Sequence, residues 1–129
     1  MEILFIIGRI LFGGFFVLNA YNHLTKTPAL SKYVASKGVP SPKAAVLITG
    51  LMILLGGLGV IFGVYVKFAL WLIALFLVPT SIVMHAFWKE KDPQTKMLEK
   101  VQFTKNMALT GAALMLLSLP TLWILGLSL

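Results

Sequence analysis

Six polar side chains stand where their neighbours make them costly: Arg9, Asn19, Asn22, His23, His85 and Asn106 lie inside or at the ends of long apolar runs. An ionisable group surrounded by hydrocarbon is retained only when it is paired or has a task. His23 and His85 offer two imidazoles, which can bind a quinone head group, relay protons, or ligate a haem or metal. The plainer alternative is that each ring bonds a backbone carbonyl or an asparagine near the lipid head groups. Asn106 can donate and accept at once, which suits either an interhelical clamp or a cofactor contact. Arg9 carries a fixed charge that can hold an anion or a quinone oxygen. It can equally snorkel to the surface or bond carbonyls in the glycine-rich half of the second apolar run.

Other chemistries find no support. The chain has no cysteine, hence no disulfide, no thiol nucleophile and no Cys-based zinc, iron–sulfur or c-type haem site. No P-loop, GxSxG elbow or HExxH is present, and Glu2, Glu90, Asp92 and Glu99 all fall at the ends of runs or between them. Hydrolysis, phosphoryl transfer and transport through a buried acid are therefore not indicated, and two histidines without carboxylate or cysteine companions predict no metal centre.

The elements that must position these residues follow from composition. Of 129 residues 59% are hydrophobic and 12% charged, with a mean hydropathy of +0.95. A chain this short has too few interior positions to hide that surface from water, so lipid is its expected solvent. Four runs reach the ~20 residues that span a bilayer core: about 3–24, 44–65, 68–88 and 101–119. The first lacks a basic start and a clear cleavage site, and is expected to be a retained helix. The second is rich in glycine, with Gly59 and Gly63 forming a GxxxG pair that permits close helix approach. Pro79 is expected to kink the third, with Thr80 and Ser81 at hand to satisfy the freed backbone. Beyond Pro120 the tail TLWILGLSL is still apolar, and either extends the fourth span past a kink or lies at the interface.

Within the first span Arg9, Asn19 and His23 fall near one stripe with Phe12 and Phe16, the face expected to look into a bundle. Between the first two spans, Leu30, Tyr33 and Val34 oppose Lys32 and Lys37, which predicts a short helix lying on the membrane surface. The predicted fold is therefore all-α: one domain over residues 1–129, an antiparallel up-down bundle of four transmembrane helices with a short interfacial helix in the first loop.

The net charge of +7 does not point to nucleic acid, because the basic residues sit between apolar runs. Lys26, Lys32, Lys37, Lys43, Lys89, Lys91, Lys96 and Lys100 occupy the loops after the first and third spans, against Lys67 alone on the other side. By the positive-inside rule those loops are cytoplasmic and both termini face outward across the cell membrane.

The segments GRILFGGFFVLNAYNHL, YVASKGVPSPKAAVLITGLMILLGGLGVIFG, MHAFWKEKDP and FTKNMALTGAALML, in that order and spacing, give a chain that resembles the DoxX family, also called DoxD-like, of small four-helix membrane proteins. The resemblance implicates Arg9, Asn19, His23, Gly38, Pro40, Gly57, His85, Phe87, Trp88, Phe103, Lys105 and Asn106. It implies a redox-associated accessory subunit, since the family takes its name from a protein associated with quinol oxidation and thiosulfate:quinone oxidoreduction. On that basis His23, His85, Asn19, Asn106 and Arg9 are the expected cofactor-binding residues, and a quinone or similar lipid-soluble molecule is the expected ligand. The partners are the bilayer and a protein subunit or a second copy. A non-enzymatic assembly or scaffold subunit, or a small channel or solute carrier, are the alternatives.

Overall fold

A computed structural model of the chain describes residues 2–119; Pro120, Trp123 and the rest of the apolar tail lie outside the described residues. These form five α-helices and one 3-10 turn, with no strand among them: α1 (Glu2–Thr25), α2 (Thr27–Ser36), α3 (Pro42–Phe62), α4 (Val66–Met84), the turn Phe87–Lys89, and α5 (Pro93–Leu117). Three segments, Ile3–Thr25, Pro42–Phe62 and Val66–Lys89, are long and apolar enough to cross a membrane.

Packing runs from α1 to α3, from α3 to α4 and from α4 to α5, with α2 laid across α3. The core is made of Phe16, Ala20, Ile53, Val60, Leu70, Ile73, Leu77 and Ala113. The opposite faces are also apolar: Leu11 and Leu18, Ile48, Leu51 and Leu55, Phe68, Trp71 and Leu75 all point outward. In water such a surface would drive aggregation; in lipid it is the ordinary exterior of a helix.

Glycine sets how closely the helices cross. A Cβ on Gly13 would sit 2.6 Å from the Gly57 carbonyl oxygen, and one on Gly57 would sit 2.7 Å from that of Gly13. The obstacle is backbone on both sides, so neither helix can yield without moving as a body. Gly57→Ala is expected to destabilise the fold by about 1–3 kcal/mol, the usual range for overpacking, measurable as a lower unfolding midpoint in detergent. Gly59 packs against Ala69 of α4, whereas Gly63 is the left-handed C-cap of α3, with φ 70° and its N–H bonded to the Gly59 carbonyl. The expected GxxxG pair thus divides into one packing glycine and one turn glycine, and the Gly59 surface is already covered by the chain's own α4.

Two helix boundaries differ from the sequence expectation in ways that matter for the site. The third apolar run is helical only to Met84, and His85 caps α4 with its N–H on the Ser81 carbonyl at 3.2 Å. The helix continues through Pro79; Ser81 Oγ donates to the Leu77 carbonyl at 2.7 Å rather than to the carbonyl that proline leaves open. At the other boundary, α5 begins at Pro93, about two turns before the fourth apolar run. Asp92 caps it, accepting from the Thr95 N–H at 2.9 Å and the Thr95 hydroxyl at 2.8 Å. The backbone bond to Thr95, and then its hydroxyl, hold the Asp92 carboxyl below its ordinary value. That early start places Glu99 on a rigid helix instead of in a loop.

Candidate functional site

A cavity of about 400 Å³ opens at the end of the helix array where α1 stops and α4 is capped. Its walls are mainly apolar, with Phe15 and Phe16 from α1, Phe76, Leu77 and Val83 from α4, and Leu30 and Val34 from α2. Asn19, His23, His85 and Asn106 all line it. Four of the five candidate residues, drawn from α1, the α4 cap and α5, therefore share one space. Asn22, on the same turn as His23, is exposed.

Arg9 is not among the lining residues. It is 3% exposed, and its Nε donates to the Val60 carbonyl at 3.0 Å while Nη2 donates to that of Ile61 at 2.8 Å. Its guanidinium lies 5.9 Å from the Phe5 ring centroid. Val60 and Ile61 belong to the last turn of α3, where carbonyls have no intrahelical donor. The guanidinium thus caps α3 and places positive charge at the negative end of that helix, the carbonyl bonding that is one of the roles open to Arg9.

Each polar side chain at the cavity is oriented by the protein. His23 Nδ1 lies 3.0 Å from the Val46 carbonyl oxygen, which can only accept, so this nitrogen carries the proton. The Thr49 hydroxyl, 3.2 Å from the same nitrogen, donates to the Ala45 carbonyl at 2.6 Å. Gly50 makes room for the ring, since a Cβ there would lie 2.8 Å from His23 Cβ, and Phe76 meets the ring edge-on at 5.9 Å. Asn19 Nδ2 donates to the Phe15 carbonyl at 2.8 Å. Asn106 differs from the rest. It is 6% exposed, and among the described residues its carboxamide has no hydrogen-bond partner. Its amide atoms are not sealed in protein but open to the cavity that the residue lines.

His85 has a carboxylate companion that its sequence neighbourhood did not announce. Its Nδ1 lies 3.0 Å from Glu99 Oε2, and the Tyr33 hydroxyl donates to Glu99 Oε1 at 3.1 Å. Lys37 Nζ completes the group, 3.7 Å from Glu99 Oε2 and 3.3 Å from Glu90 Oε1. These contacts pin α2 against α5 over the cavity mouth, although α2 has no buried residue. Phe87, Trp88 and Phe103 stack edge to face beside His85, with centroids 5.2–5.6 Å apart. No group of three or more His, Asp and Glu side chains suited to a metal ion occurs among the described residues.

Tyr33 reports on this network. Burial first, then the Glu99 charge and hydrogen bond, then the Glu90 charge, push its phenol from 10.0 up to about 12. The folded chain therefore holds a proton that the unfolded chain releases near 10.0, and stability falls as pH rises from there through about 12. An alkaline absorbance titration is expected to show a late phenol that disappears in Tyr33→Phe. Glu99→Gln is expected to bring it back part of the way only, because desolvation is the larger cause.

Long helices with apolar faces both inward and outward, enclosing a polar-edged cavity, define a multi-pass α-helical membrane protein in contact with the bilayer. A family model described as DoxX matches residues 4–86, more than half of the chain. The chain belongs to the DoxX family. No curated protein and no solved structure matches it.

Proposed function

We propose that the chain is a redox-associated accessory protein of the cell membrane whose cavity holds the polar head of a quinone or a similar lipid-soluble molecule. The observation that carries this reading is Asn106, a residue 6% exposed whose carboxamide has no partner among the described residues and opens on a cavity edged by two oriented imidazoles. A volume of about 400 Å³ with mainly apolar walls and a few convergent polar groups suits a small ligand. His23, His85, Asn19 and Asn106 contact the head group, and Arg9 serves the fold. In this reading the chain is a single domain over residues 1–129, and α5 with its apolar second half is the fourth antiparallel span. Helix α2 lies at the membrane surface, the lysine-rich loops are cytoplasmic, and both termini face outward. Electron transfer then involves a partner subunit or a second copy, because this chain offers no redox group of its own.

A non-enzymatic assembly role is the second reading, and it has its own support. Asn19 and His23 both bond backbone carbonyls, as residues that only lock helices together would do. The two are separated by purifying the chain in mild detergent, recording oxidised and reduced absorption spectra, and analysing the organic extract by mass spectrometry. A stoichiometric quinone that is lost in His85→Ala, without loss of thermal stability, supports the ligand site. Bulk lipid alone, with His85→Ala only destabilising the fold, supports the assembly role.

A further inference from the structure

We propose that the cavity selects the reduced, hydroxyl-bearing form of its ligand, a hydroquinone, over the oxidised quinone. This rests on the ligand-site reading above and follows from which hydrogen-bond protons the protein has already committed. A quinone presents two carbonyl oxygens that can only accept. A hydroquinone presents two hydroxyls that can each donate.

The His23 Nδ1 proton goes to the Val46 carbonyl and the His85 Nδ1 proton to the Glu99 carboxylate. The Tyr33 proton goes to Glu99 and the Thr49 proton to the Ala45 carbonyl. With one proton on each imidazole, what these four side chains have left is lone pairs: Nε2 of each ring, and the oxygens of the phenol and the threonine. Asn19 can serve either form, for one of its two amide N–H groups goes to the Phe15 carbonyl, leaving the other N–H and the oxygen without a partner among the described residues. Asn106 and Thr80 can donate or accept and serve either form. Lys105 is the strongest remaining donor, but its ammonium bonds Gln102 Oε1 at 2.7 Å and sits 5.2 Å from the Phe15 ring centroid, at an exposed position on the rim. The two imidazoles, the phenol and the threonine thus meet the ligand as acceptors, and a ligand with carbonyl oxygens alone would leave them without a donor. For a two-electron couple, each tenfold preference for the reduced form raises the bound midpoint potential by about 30 mV.

The test measures equilibrium binding of a decyl-substituted benzoquinone and of its hydroquinone to the full chain in lipid nanodiscs. Oxygen is excluded, and the buffer is held near about pH 8, where free imidazole is neutral. The expected result is hydroquinone binding at least about tenfold tighter, the discrimination reached when a site's hydrogen-bonding groups would otherwise lose their partners. His85→Gln, which offers an amide donor beside its acceptor, is expected to lower that ratio to about twofold; His23→Gln tests the same point independently should the first variant fold poorly. Equal affinities, or a tighter quinone, would overturn the selectivity and leave the ligand site standing. Failure of both forms to bind would overturn both.

Discussion

Arg9→Met is expected to lower the stability of the chain in detergent by about 2–4 kcal/mol without changing what the cavity binds. The guanidinium donates to the Val60 and Ile61 carbonyls at the end of α3. Methionine fills much of the same volume but leaves both acceptors without a donor, at about 1–3 kcal/mol each. Part of that loss is offset, because burying a charge is itself costly and the variant no longer has to do so. Arg9→Lys should fall between the two, keeping the charge but not the planar fork that reaches two carbonyls at once. Unfolding curves of the three proteins measure the order directly. A wild-type midpoint in Arg9→Met would mean that water or lipid satisfies those carbonyls and that the arginine has another task. The same preparations should keep their affinity for the decyl benzoquinone and hydroquinone pair, since Arg9 does not line the cavity.

How much of this could be seen in the sequence depends on where a residue sits. Asn19, His23, His85 and Asn106 stood out because each interrupts or ends an apolar run, where a polar group is expensive. The cost marks them as candidates, but only the packing of α1 and α4 on α3, and of α5 on α4, puts them around one cavity. Glu99 is invisible by the same logic, since it lies in a charged segment where such residues are ordinary, and Tyr33 reads only as part of the apolar face of a surface helix. The signal that could have placed Glu99 was present: Asp92, Pro93 and Thr95 form a helix start, and a helix beginning there carries Glu99 at a fixed angle. Glycine spacing was legible as close approach but not as geometry. Gly63 matches the GxxxG pattern yet serves as a turn, because a pattern of small residues does not say where a helix ends.

Asn106→Leu is expected to separate stability from binding in the opposite sense to Arg9→Met. The leucine shares the branched shape of asparagine, is larger by an amount the adjoining cavity can take up, carries no polar atoms, and replaces a residue that is 6% exposed and whose amide has no partner among the described residues. Losing a polar group that bonds no other part of the protein breaks no protein hydrogen bond, so the unfolding midpoint should hold within about 1 kcal/mol. Binding should weaken about tenfold or more, because the ligand oxygen that met the carboxamide now faces hydrocarbon. A residue that merely clamps helices cannot behave this way: removing a satisfied clamp lowers stability and affects binding only through the fold. A midpoint that drops as far as that of Arg9→Met, with ligand retention unchanged, would make Asn106 a structural residue and remove the observation on which the ligand site rests. A stable variant that has lost the hydroquinone would show that the chain retains the amide for the sake of what the cavity holds.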